Sequence, residues 1–101
     1  MDTLVKEKIP VIKTQEFVLY LEEVDYNIFI HCDVNVKWSK SVKNRLNFAF
    51  KELRKNLGVD INALHPIKDK KHEKFLKMFG FKKDYSITGH DNKNYDIYVW
   101  R

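Results

Sequence analysis

The 101-residue chain is long enough for one compact domain on one core and too short for two. Its 44% apolar and 33% charged residues, with three Gly and two Pro, exclude a disordered, fibrous or low-complexity protein. Nineteen Lys and Arg against 14 Asp and Glu give a net charge of +5, which favours anionic partners (a nucleotide cofactor, nucleic acid or an acidic protein) without choosing among them.

The longest apolar runs, Phe17 to Leu21 and Ile28 to Ile30, fall far short of a bilayer span of roughly 20 residues, and no signal-peptide pattern opens the chain. A soluble, intracellular, cytoplasmic protein with no membrane partner is expected. Cys32 is alone, so an intramolecular disulfide is impossible, and Cys/His spacings for a closed zinc site are absent. It reads as a small buried hydrophobe rather than a nucleophile, and no metal is expected.

Segments 16–23 and 27–36 alternate apolar and polar side chains and predict two strands. The short polar stretch between them predicts an antiparallel hairpin. From Ser39 to Leu57 the apolar residues Val42, Leu46, Ala49, Phe50, Leu53 and Leu57 fall on one helical stripe. Ser39 or Ser41 can cap its start, and Gly58 can end it in the left-handed conformation. A short strand at 59–65 around Ile61 and Ala63 follows. A second helix then runs from Asp69 as cap to Phe79, closed by Gly80, with His72, Phe75, Leu76 and Phe79 on its inner face. Strands 82–88 and 95–100, joined by a turn rich in Gly, Asp and Asn, close the chain. The fold class is α/β (α+β): a mixed sheet of about five to six strands with two main helices, in the order β-β-α-β-α-β-β. The middle unit is a crossover that requires parallel strands.

That order, read with Lys71 to Lys83 (KHEKFLKMFGFKK), resembles the GNAT N-acetyltransferases. The second helix of that family ends in Tyr-x-x-x-Gly-Phe, preceded by an Asn at the helix start. Gly80-Phe81 matches the Gly-Phe. The Tyr position falls on Leu76 and the Asn position on Asp69. The layout of strand, turn and long helix covers roughly residues 16–101, and only the Gly80-Phe81 helix end is motif-like. Short phage-type chains of the family are similar in length, which would place the protein in a host cytoplasm.

The resemblance implies acyl transfer from acetyl-CoA to an amine. The family's Gln/Arg-x-x-Gly-x-Gly/Ala signature opens the long helix so that bare N–H groups hold the pyrophosphate of coenzyme A. Here those positions are Trp38, Ser41 and Lys43, without either glycine. The implied cofactor residues are Val34 and Val36, on the strand that holds the pantetheine arm by its backbone, and Ser39, Lys40, Ser41, Val42 and Lys43 at the helix start. A bland reading stands beside this one: the serines cap and the lysines are solvated. The family's Tyr acts as general acid, which Leu76 cannot do. Tyr20, Tyr85, Tyr95 and Tyr98 are the alternatives. His31 and Asp33, on one side of their strand, are the candidate bases. Residues 1–15 hardly hold the two helices that wall the acceptor pocket in the family, so the acceptor surface is open, completed by a partner or second copy, or absent.

Two rival readings follow. Loss of the glycines and of the Tyr suits a non-catalytic GNAT-fold interaction or assembly protein. The clusters Lys68 to Lys74 and Lys82-Lys83, with Phe75, Phe79, Phe81 and Tyr85, suggest a nucleic-acid surface, but the helical spacing of the phenylalanines favours core packing.

Overall fold

The computed structural model describes residues 8–100. They form β1 (Ile9–Lys13), β2 (Phe17–Val24), β3 (Asn27–Val34), α1 (Lys40–Leu57), β4 (Ile61–Pro66), α2 (Lys70–Met78), β5 (Lys82–Thr88) and β6 (Asn94–Trp100). This is the expected α+β order with one strand, β1, added ahead of it. The chain divides after Val59 into two compact units.

In the first unit β1 pairs antiparallel with β2, and β2 with β3. The β2–β3 hairpin turns through Asp25 and Tyr26, both with positive φ, a geometry whose twist matches that of the flanking strands. Its register sets Phe17 opposite Val34, Leu19 opposite Cys32 and Leu21 opposite Ile30 on one face. Val18, Tyr20 and Glu22 share the other face with Asp33, His31 and Phe29. β3 ends at Val34, so Val36 lies outside the strand and is exposed.

Helix α1 starts where Ser39, in extended conformation, accepts the Val42 N–H on its Oγ at 3.2 Å. It ends at Gly58, whose N–H bonds the Arg54 carbonyl and whose φ of 66° then turns the chain out of the helix. Val42, Leu46, Ala49, Phe50 and Leu53 are buried, as their spacing predicts, and Leu57 is half-buried. Complete burial of a residue such as Leu46 contributes about 1.5–3 kcal/mol.

The second unit orders its strands β4-β6-β5, all antiparallel. Ile61, Ala63 and His65 of β4 share a face with Trp100, Tyr98 and Asp96 of β6. Asp69 caps α2 by accepting the His72 N–H at 3.0 Å. At the other end Gly80 takes φ 88°. The Gly80 N–H then bonds the Lys77 carbonyl and the Phe81 N–H the Leu76 carbonyl, the paired bonds that close a helix around a left-handed residue. Leu76, Phe79 and Phe81 are buried, with Phe75 packed on Phe79 and Phe81 on Trp100. The phenylalanines of the basic segment are therefore mostly spent on packing, and Tyr85 alone of the four rings is exposed.

Candidate functional site

The start of α1 carries Lys40 and Ser41, both exposed, and half-buried Lys43, with no acidic residue in its first turn. The first intrahelical bond runs from the Lys43 N–H to the Ser39 carbonyl. Val42 is absorbed by the fold: its side chain is 3% exposed and its N–H belongs to the cap. It offers a ligand nothing, because the same residue that follows the helix start also begins the core stripe. The N–H groups of Lys40 and Ser41 precede the first intrahelical bond and mark the positive end of the helix dipole. Side chains stand at both positions where the resemblance would place glycine. An anion here would meet lysine and hydroxyl groups before backbone.

His31 and Asp33 do lie on one face of β3. Each is engaged separately by β2. The Glu22 carboxylate sits 2.9 Å from His31 Nε2. A carboxylate can only accept, so Nε2 carries the hydrogen and the neutral ring presents Nδ1 as its open lone pair. Asp33 instead acts on Tyr20: partial burial, followed by the Asp33 charge and a hydrogen bond to it, pushes the Tyr20 phenol above its ordinary range. The opposite face of the hairpin, through Phe17, meets α1 at a groove of about 650 Å³ lined by Phe17, Ser41, Arg45, Phe48 and Ala49 among others. His31 and Asp33 therefore face away from α1. Among the described residues no hydrogen bond or ion pair joins either to residues 39–43.

Arg45 clamps Glu16 at the rim of that groove through two bonds of 2.5 and 2.6 Å, which hold the Glu16 carboxyl below its usual range. Cys32 lies on the Phe17 face. Burial, with the nearby Asp33 charge, pushes its thiol up to about 12, so it stays protonated and is no nucleophile. Among the described residues no group of three or more His, Cys, Asp and Glu side chains is placed to hold a metal, and no helix is long and apolar enough to cross a membrane.

In the second unit, Leu76 occupies the position where the resemblance expects a catalytic Tyr, and it is 3% exposed. Tyr98 is buried and donates its hydroxyl hydrogen to Glu73 Oε2 at 3.2 Å, while Tyr95 donates to Asp91. No motif in the sequence marks His65 as a site residue. It is 1% exposed, with Nδ1 2.9 Å from His72 Nδ1 and its ring edge-on to Tyr98. A signal is nevertheless there: His65 continues the alternation of Ile61 and Ala63, and the helical spacing puts His72 on the inner face of its helix.

No protein-family model matches the chain, and no curated protein matches it. Among solved structures, the ribosomal-protein-S5-alanine acetyltransferase from Vibrio fischeri matches with a TM-score of 0.65 at 12% identity. The match covers 84% of this chain and 53% of that one. The chain has the GNAT fold. At this identity the likeness establishes the fold alone, and the chain spans about half the length of that acetyltransferase.

Proposed function

We propose that the chain is an acyl-CoA-dependent N-acetyltransferase of minimal size, which binds acetyl-CoA at the N-terminus of α1 and acts on an amine. The observation that carries this reading is the GNAT fold shared with a solved acetyltransferase. The residues at α1 fit the cofactor's pyrophosphate by charge, since Lys40 and Lys43 flank a helix start that has no acidic residue in its first turn. They fit it poorly by shape, since Ser41 and Lys43 fill the positions of two glycines. Weak binding is the consequence. Ser39, Lys40, Ser41 and Lys43 would hold the pyrophosphate, and the backbone at Val34 and Val36 the pantetheine arm. The bound cofactor supplies an acyl group already activated as a thioester.

The chain's own chemistry then rests on His31. With Nε2–H fixed on Glu22, Nδ1 is set to take a proton from an ammonium, which frees the amine lone pair for attack on the thioester carbon. The C–S bond would break and the thiolate would leave to solvent, from which it takes any proton, since Leu76 has none to give. Asp33, already engaged with Tyr20, serves as a neighbour rather than as a second base. The acceptor side would be open or completed by a partner or second copy.

A second reading, favoured by the buried Leu76, is a non-catalytic GNAT-fold interaction or assembly protein, such as one in a phage-type genome. Thermal denaturation with acetyl-CoA, CoA and short oligonucleotides separates the two. A ligand that binds only the folded state raises the midpoint, by about 2.7 kcal/mol of stability at a hundredfold excess over Kd. The expected result is a rise with acetyl-CoA and CoA and none with oligonucleotides. No rise at millimolar acetyl-CoA would give the place to the non-catalytic reading.

A further inference from the structure

The second unit sets a buried imidazole ring, His65, against a half-buried one, His72. His65 reaches from β4 and His72 from the first turn of α2. Their ring planes lie within 15° of parallel with centroids 5.2 Å apart, and the two Nδ1 atoms approach to 2.9 Å, so the rings meet end to end. Two nitrogens at that distance share one hydrogen: one ring is the Nδ1–H tautomer and donates, and the other carries its hydrogen on Nε2 and accepts. One extra proton can be taken on the donor's Nε2 without breaking the contact. A second must land on the accepting Nδ1. Two N–H groups would then point at each other, with two positive charges on adjoining rings.

From this geometry we infer that the His65–His72 pair is an acid-sensitive latch, which fastens the first turn of α2 to β4 at neutral pH and opens when both rings are protonated. The inference is independent of acyltransferase activity.

The surroundings set the direction. From α2, Asp69 favours a charged His72, but its Oδ1 is already spent on the His72 N–H. Glu73 accepts from Tyr98 and lies 3.6 Å from Lys77 Nζ. From β6, Tyr98 meets His65 edge-on, and Asp96, opposite His65 in register, accepts from Ser86 and pairs with Lys83 of β5. The carboxylates around the pair are thus already engaged. Burial and the neighbouring ring hold the His72 pKa down, with Asp69 only partly opposing them, and a positive charge in the first turn of a helix also opposes the dipole. Above the ordinary histidine value of about 6.5 folded and unfolded chains alike carry a neutral ring. Below it the unfolded chain takes a proton that the folded unit resists, so stability falls with pH until the lower folded value is passed.

Histidine side-chain nitrogen NMR on the whole chain, combined with amide exchange between about pH 7.5 and about pH 4.5, tests the latch. At neutral pH one ring is expected as the Nδ1–H tautomer and the other as Nε2–H. On acidification the protection of the 73–78 amides should fall at least tenfold relative to the α1 amides. In His72→Gln that relative loss should vanish. Two rings in the same tautomer, or α2 protection that tracks α1 across the range, would overturn the inference. Should His72→Gln fail to fold, the wild-type tautomers and exchange decide it alone.

Discussion

The Leu76 carbonyl accepts the Phe81 N–H at 3.0 Å, and the chain makes this bond by passing Gly80 through a φ of 88°. Both flanking side chains are buried, so the bond fixes the end of α2 and the start of β5 together. A Cβ at Gly80 would meet only the Trp100 ring at 3.7 Å, an ordinary contact, which leaves backbone conformation as the main cost. Gly80→Ala should therefore destabilise the protein by roughly 1–2 kcal/mol in urea unfolding. Gly58→Ala, where nothing lies within 4 Å and φ is 66°, should cost a similar amount.

Tyr26 presents the opposite opportunity. It holds a φ of 67° in the β2–β3 turn while 96% exposed, so its ring contributes almost no burial and its Cβ only strain. Tyr26→Gly should raise stability by about 1 kcal/mol, since Asp-Gly is a favoured pair for such a turn. An unchanged denaturation midpoint would show that the turn carries no strain.

What the sequence disclosed follows from which forces are local. The α1 stripe and the Gly80 closure depend on spacings within one helix and are readable, whereas for the cap the spacing allows Ser39 or Ser41 and only the structure selects Ser39. β1 escaped notice because Pro10 breaks the strand signature. The structure accommodates Pro10 where β1 is the outer strand of its unit and the register shifts between Pro10 and Ile12. Alternation continues past the last paired residue and so predicts strand at Val36, although β3 ends at Val34. The site was less legible still. His31 was visible as a titratable residue on a strand, but its partner Glu22 lies on the neighbouring strand. His65 met His72 only once α2 had packed on β4. Such pairings depend on register and packing, which a single sequence does not state.

Cys32 should be nearly inert. Its thiol is pushed up to about 12 from 9.0, so the folded chain carries a thiolate population about a thousandfold below that of the unfolded chain at neutral pH. Labelling by an aromatic disulfide reagent should be slow in buffer and fast in denaturant. Linkage gives the sign of the pH effect: stability is intact below pH 9.0 and declines as the pH rises from there toward about 12, because only the unfolded chain releases the proton. Rapid labelling of the native protein would contradict this burial.

His31 and Asp33 can be told apart by substitution. If the chain acetylates an amine, His31→Gln should lower kcat/KM by about 10²–10⁴-fold, the usual contribution of a positioned base. Glu22→Gln should lower it less, because the ring loses its ionised acceptor but stays in place. Asp33→Asn should have little effect. A larger loss from Asp33→Asn than from His31→Gln would reassign the base.

The proposed cofactor site at the start of α1 can be tested directly. It offers exposed Lys40 and Ser41 and half-buried Lys43 above a capped helix with no acid in the first turn, so under the proposed function a diphosphate would be attracted by charge although bare backbone is not presented. Hydrogen bonds to charged groups contribute roughly 1.5–3 kcal/mol, and a tenfold change in affinity corresponds to about 1.4 kcal/mol. Replacing Lys40 and Lys43 together by Ala should thus weaken acetyl-CoA binding at least tenfold. It should also flatten its dependence on salt, since exposed charges are what salt screens. Fold stability should stay within about 0.5 kcal/mol, because neither lysine belongs to the buried stripe of α1. Calorimetry on the two proteins, at low and at physiological ionic strength, reads all of this directly. If the double variant binds as the wild type does, the pyrophosphate is held elsewhere. If the wild type gives no heat with millimolar acetyl-CoA, the GNAT fold serves this chain as a scaffold rather than as an acyltransferase.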